Sequence, residues 1–171
     1  MKNLIFVLFI FSSLLTLAQN ISELLYVKIN KYRKDHNLNE LVVSDKAKVA
    51  NTQQLNYMVK TSTVPLDHSQ KIKTIFPKTF STFTERMDYV YQNDYYYVGE
   101  NLIAFFYEGS DERIAEKIFT SWVNSYSHNE VLLSNKPTGF YINYQITTKL
   151  ITPTTEFEGA KIIYCVLTTY K

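Results

Sequence analysis

The period of the apolar residues changes along the chain, and that change restricts the fold more than any other feature. From Ser22 to about His36, Leu24, Leu25, Ile29 and Tyr32 recur at near-helical spacing while Lys28, Lys31 and Arg33 take other faces, which predicts an amphipathic helix with Ser22 available as its cap. Ser44-Asp45 opens a second helix, with Ala47, Ala50, Leu55 and Met58 as its apolar stripe through about Val59, and Thr61 to Asp67, with Pro65, follows as loop. A third helix is capped by Asp111, turns Ile114, Ile118, Phe119 and Trp122 inward, carries Glu112 where the helix dipole favours an acid, and ends near Ser125. The period then becomes two. Phe140, Ile142 and Tyr144 alternate with Tyr141, Asn143 and Gln145, and Lys161 to Tyr170 is rich in Ile, Tyr, Val and Thr, so both read as strands of an antiparallel pair joined by a loop with Pro153 and Gly159. Asn101 to Phe106 is a third strand, read as the central one. With only four glycines and four prolines in 171 residues, most of the chain is regular structure. The expected class is α+β, with helices layered on a small antiparallel sheet.

The first residues stand outside that pattern. Lys2 is followed by an almost unbroken apolar run from Leu4 to Leu17 that closes on Thr16-Leu17-Ala18, which reads as a secretory signal peptide over 1–18. The run is shorter than the roughly 20 apolar residues that cross a bilayer, so no transmembrane anchor is expected after processing. No cysteine follows it, which excludes lipoprotein attachment. Residues 19–171 are then a single domain, secreted or periplasmic. Hydrophobic residues at 46% and charged ones at 20% are the composition of a cored domain and not of a disordered tract. A net charge of +2 is far from the basic footprint of a nucleic-acid binder. The one cysteine, Cys165, can form no internal disulfide and cannot supply a thiolate-rich zinc site; inside a predicted strand it reads as a small buried hydrophobe.

Three histidines remain to be placed. His36, among Lys34, Asp35 and Asn37, is a solvated residue at a helix C-terminus and is given no function. His68, in Leu66-Asp67-His68-Ser69, and His128, in Ser125-Tyr126-Ser127-His128, both fall in loop-like positions just beyond helices. Between them Gly99-Glu100-Asn101 brings a carboxylate into an apolar strand, where an unpaired charge is costly and needs partners.

The order Asn30-x-Tyr32-Arg33, His68, Glu85-Arg86, Gly99-Glu100-Asn101-Leu102-Ile103-Ala104, then Trp122-Val123-Asn124-Ser125-x-x-His128, Leu132-Leu133 and Thr138-Gly139 resembles the CAP superfamily. This is the family of cysteine-rich secretory proteins, antigen 5 and plant pathogenesis-related 1 proteins, here in its bacterial secreted form. The resemblance implies an α-β-α sandwich with a small central antiparallel sheet and an open cleft lined by histidines and acids. His68 matches the first cleft histidine, Glu100 the glutamate of the Gly-Glu-Asn motif and His128 the second histidine. The second glutamate of animal and plant members is Ser125 here, their disulfides are absent, and Tyr126-Ser127 replaces the usual proline-glycine. Asn101 is expected to orient backbone around Glu100. As CAP domains are mostly regarded as binding or signalling modules, some taking sterols or lipids and some a divalent metal, the resemblance favours a ligand cleft of His68, Glu100, Asn101, Ser125 and His128.

The residues themselves leave three chemistries open. Two imidazoles and a carboxylate are the ligand set of a catalytic zinc, in which His68, Glu100 and His128 would hold zinc or another divalent ion and lower the pKa of a bound water, giving a metal-dependent hydrolase with Glu100 as ligand or general base. Without metal, Glu100 between two histidines makes a pH-sensitive hydrogen-bonding cleft for a small ligand, a lipid or a cell-wall or glycan fragment, and no cofactor is required. Third, the trio is a structural cluster and the domain an extracellular interaction module. Ser69, Ser125 and Ser127 lie near the histidines, but none sits in a nucleophile elbow. Trp122 is expected in the core, Arg86 as a salt-bridged loop anchor, and Tyr89 to Tyr97 as either an aromatic surface for glycan or lipid or packing against the helices.

Overall fold

The computed structural model describes residues 20–61, 66–71, 78–148 and 160–171. The expected signal peptide at 1–18 and the expected loop residues Pro65, Pro153 and Gly159 lie outside these. Among the described residues five helices and four strands follow in the order α1 (Ile21–Asp35), β1 (Val42–Val43), α2 (Asp45–Thr61), α3 (Phe83–Tyr91), β2 (Val98–Phe106), α4 (Asp111–Asn124), α5 (Tyr126–Leu133), β3 (Gly139–Thr147) and β4 (Ile162–Tyr170). Among the described residues no helix is long and apolar enough to cross a membrane.

The predicted helices form, α2 opening at Ser44-Asp45 as expected and α1 and α4 with caps one or two residues earlier. Asn20, not Ser22, caps α1: its side chain accepts from the Glu23 N–H at 3.1 Å while Glu23 accepts from the Asn20 N–H at 3.2 Å, a reciprocal capping box that leaves Ser22 inside the first turn. Ser110, not Asp111, caps α4 by accepting from the Arg113 N–H. Two helices appear where none was expected. Helix α3 is nine residues long and ends in Tyr89-Val90-Tyr91, types of modest helix propensity; the turn after it puts Gln92 and Asn93 in the left-handed region, at φ of 53° and 62°. Helix α5 buries only Leu132, too little for an apolar period to show, and begins directly after an extended Ser125. His128 therefore lies on a helix.

The sheet runs in the order β1-β3-β4-β2. It is mixed and not wholly antiparallel: β3 and β2 flank β4 antiparallel, but β1 lies parallel to β3, held by Val42 N–H to Thr138 O at 3.2 Å and Ser44 N–H to Phe140 O at 2.9 Å. Two residues are too few to carry a period. The central strand is β4, buried from Ile163 to Tyr170, and β2, expected there, is an edge strand.

Alternation along β4 divides the core. Ile163, Cys165 and Leu167 face α1, α4 and α5 and pack with Ile21, Leu25, Ile29, Ile118, Trp122 and Leu132. Tyr164 and Val166 face the other way, onto Leu55 and Met58 of α2 and Leu102, while Tyr170 joins Ala47, Ala50, Met87 and Tyr91. Helices thus cover both faces of the sheet, the α-β-α sandwich expected. Cys165 is wholly buried, and burial pushes its thiol well above the ordinary range, so it packs as a hydrophobe.

Candidate functional site

Consecutive residues of a strand point to opposite faces, and at Glu100 and Asn101 this joins the two helical layers around the free edge of β2. Glu100 faces the α2/α3 layer. There the Arg86 Nη2 donates to both carboxylate oxygens, at 2.6 and 2.7 Å, and both side chains have 0% exposure. Arg86 also donates from Nε to His68 O at 3.2 Å and from Nη1 to Ala50 O at 3.4 Å, so one guanidinium fixes the carboxylate, the histidine loop and α2. It sits on α3 and not in a loop. Asn101 faces the other layer, where its Nδ2 donates to His128 O on α5 at 3.0 Å.

His68 is held by its own loop. Asp67 accepts from the Ser69 N–H at 2.9 Å in a local side-chain turn, Gln54 donates to Asp67 O at 2.8 Å, and Gln70 and Phe80 exchange backbone hydrogen bonds. Its Nδ1 lies 2.9 Å from Glu100 Oε1. Since an ionised carboxylate only accepts, Nδ1 carries the proton and Nε2 is the ring atom left for a ligand. The imidazole is 40% exposed.

His68, Glu100, Asn101 and His128 line one open cavity of about 350 Å³, with Phe83, Tyr97 to Gly99, Ser127 and Val131. Ser125 is not among them: it makes the break between α4 and α5, its carbonyl accepting from the Asn129 N–H at 2.8 Å. Ser127 takes its place on the wall. The tyrosine segment divides: Tyr91 packs on Tyr170 and Tyr95, Tyr97 lines the cavity, and Tyr96 is exposed. His36 is exposed, its Nδ1 at 2.8 Å from Tyr32 O, away from the site.

The trio converges, but not as a coordination shell. The Glu100 side chain is sealed from the cavity and both its oxygens are held by Arg86, so it offers a metal no accessible lone pair. Among the described residues no group of three or more His, Cys, Asp or Glu side chains is placed to hold a metal ion. The residues do not fit the two-histidine, one-glutamate site.

Two predictions arise here. His128 is half-buried, and burial, with the neighbouring His68, lowers its pKa from the ordinary 6.5. The unfolded chain therefore binds this proton first: the stability that neutral His128 contributes is present above about pH 6.5 and is lost as pH falls through the lower folded value. Urea unfolding of a His128→Gln variant between pH 7 and 5 should show a shallower loss of stability than the parent. Gly99 has no room for a side chain, since a Cβ would meet Thr169 Oγ1 at 2.7 Å, Tyr97 OH at 2.9 Å and Val131 Cγ1 at 3.0 Å. Gly99→Ala should destabilise by about 1–3 kcal/mol in thermal unfolding, as overpacked sites do.

The model of the cysteine-rich secretory protein (CAP) family matches residues 26–144, which include every residue of the cavity. The chain belongs to this family. Solved structures agree on the fold of the CAP domain: an outer surface protein from Borrelia burgdorferi is 21% identical, with 86% of this chain and 90% of that one covered at a TM-score of 0.54. An extracellular protein containing an SCP domain from Bacillus anthracis is 19% identical over 88% of this chain and 40% of its own, TM-score 0.53. A cysteine-rich secretory protein from Staphylococcus aureus is 16% identical over 91% and 41%, TM-score 0.53. The chain thus spans about two fifths of the length of the last two proteins. No curated protein matches the chain.

What the sequence missed is the partner of Glu100. Arg86 was in view as a salt-bridged anchor, and the signal available was the need of a strand carboxylate for a cation. Nothing local to either residue joins them.

Proposed function

We propose that this CAP domain is a secreted binding module that holds a small ligand, lipid-like or derived from a cell wall, in the cleft between His68 and His128. The observation that carries the reading is the division of labour around Glu100. Its charge is neutralised inside the protein by Arg86, while one oxygen orients His68 so that Nε2 remains for a ligand. A cluster serving structure alone has no need of a 40% exposed imidazole beside an open cavity. The apolar run before residue 19 and the outer-surface and extracellular descriptions of the Borrelia and Bacillus proteins support work outside the cytoplasm. A metal-dependent hydrolase in the same cleft would need Glu100 released from Arg86.

Calorimetric titration with lipids and wall fragments, beside His68→Ala and His128→Ala, tests this. Saturable binding lost in both variants is expected. Binding indifferent to both changes would overturn the cleft reading in favour of an interaction module. Stoichiometric zinc binding abolished by each variant would restore the hydrolase.

A further inference from the structure

Resting on that cleft reading, we infer that its ligand includes a short extended peptide, which adds to the open edge of β2 as a further strand. Among the described residues, strand β2 is the last in the sheet and pairs only with β4. Tyr97 and Lys171 exchange both backbone hydrogen bonds, each at 2.9 Å, and the Tyr107 N–H donates to Lys161 O at 2.8 Å. In an antiparallel ladder such exchange recurs at every second residue. With Gly99 opposite Thr169 and Asn101 opposite Leu167, the odd-numbered residues turn their backbone groups to β4. The N–H and C=O of Val98 and Glu100 therefore point to the open side.

The cavity lies on that side. A hollow over a sheet face meets alternate residues of a strand, whereas this one is bordered by the unbroken run from Tyr97 to Asn101, which places it along the edge. Glu100 has a fully buried side chain and Gly99 has none, so their share of the wall is main chain. Two outward N–H and two outward C=O groups in alternation match the main chain of an extended peptide, the basis of recognition by strand addition. At about 3.3 Å per residue, three peptide residues cover Val98 to Glu100. His68 and His128 then flank the peptide from the two layers. Beyond Tyr97 a second hollow of about 480 Å³ shares Tyr97, Ser127 and Val131 with the first, giving a longer peptide room to continue along α5. Sugars and acyl chains carry no such alternation.

The test is NMR of the ¹⁵N-labelled protein titrated with a pool of acetylated, amidated tetrapeptides and with the same peptides N-methylated at alternate positions. The amide signals of Val98 and Glu100 are expected to shift, and N-methylation to weaken binding about tenfold, the effect of one lost hydrogen bond. Val98→Pro removes an N–H that β4 does not use, at an edge position where proline is tolerated, and should weaken the peptides by about the same factor. Unmoved Val98 and Glu100 amides, or equal binding of the N-methylated pool, would overturn the inference even if Val98→Pro fails to fold. Wall fragments or lipids that bind in a His68-dependent way without moving these amides would overturn it while leaving the cleft reading intact. Failure of every ligand to perturb His68 and His128 would remove both.

Discussion

Replacing Arg86 with methionine is expected to lower the unfolding free energy by about 3–5 kcal/mol, because it strands a buried carboxylate without its counter-charge. The size follows from the surroundings: both side chains are wholly buried, Nη2 serves both Glu100 oxygens, and the remaining nitrogens tie down the His68 carbonyl and α2. The loss should be largely reversed in Arg86→Met with Glu100→Leu, since replacing both members of a buried pair by apolar groups leaves no orphaned charge. Urea midpoints of the parent, both single variants and the double variant measure the coupling. A loss below about 1 kcal/mol in Arg86→Met would be the behaviour of an exposed pair and would contradict the sealed geometry. Arg86→Lys should recover only part, because an ammonium cannot reproduce the planar fork that reaches carboxylate and two backbone carbonyls together.

Trp122→Ala should cost about as much, roughly 3–5 kcal/mol for a large aromatic removed from a core. The indole has no solvent exposure and packs in the cluster joining α1, α4 and α5 to the sheet. Its Nε1 has no hydrogen-bond partner among the described residues. Trp122→Phe should therefore be much milder, since the smaller ring keeps most of the contacts and removes a polar atom that burial penalises. Thermal unfolding of the two variants separates these terms, and equal losses would show that the indole nitrogen is satisfied in solution.

Elements with a clear period were legible. Helices α1, α2 and α4 bury an apolar stripe, β3 alternates, and β2 and β4 are short apolar or β-branched runs, and each was placed within a few residues. Helices α3 and α5 were not, one because Tyr and Val speak for strand, the other because a single buried leucine makes no stripe. Strand β1 has only two residues. His68, Glu100, Asn101 and His128 do border one cavity while Ser125 does not, because an apolar pattern does not reveal that one helix ends and the next begins at the same serine.

The residue types and their local periods, which act over a few positions, settled three of the helices, three of the strands and the titratable groups that had to find partners, while the two helical layers around the sheet came from the family resemblance. Strand order decided the rest. Because helices cover both faces of the sheet, neighbouring side chains of β2 reach both layers, Glu100 to Arg86 and His68, Asn101 to α5, and because β2 folds to the edge of the sheet and not its centre, a row of main-chain groups is left facing the cleft. Pairings of that kind join residues far apart in the chain and depend on which strands lie side by side, which no local period encodes.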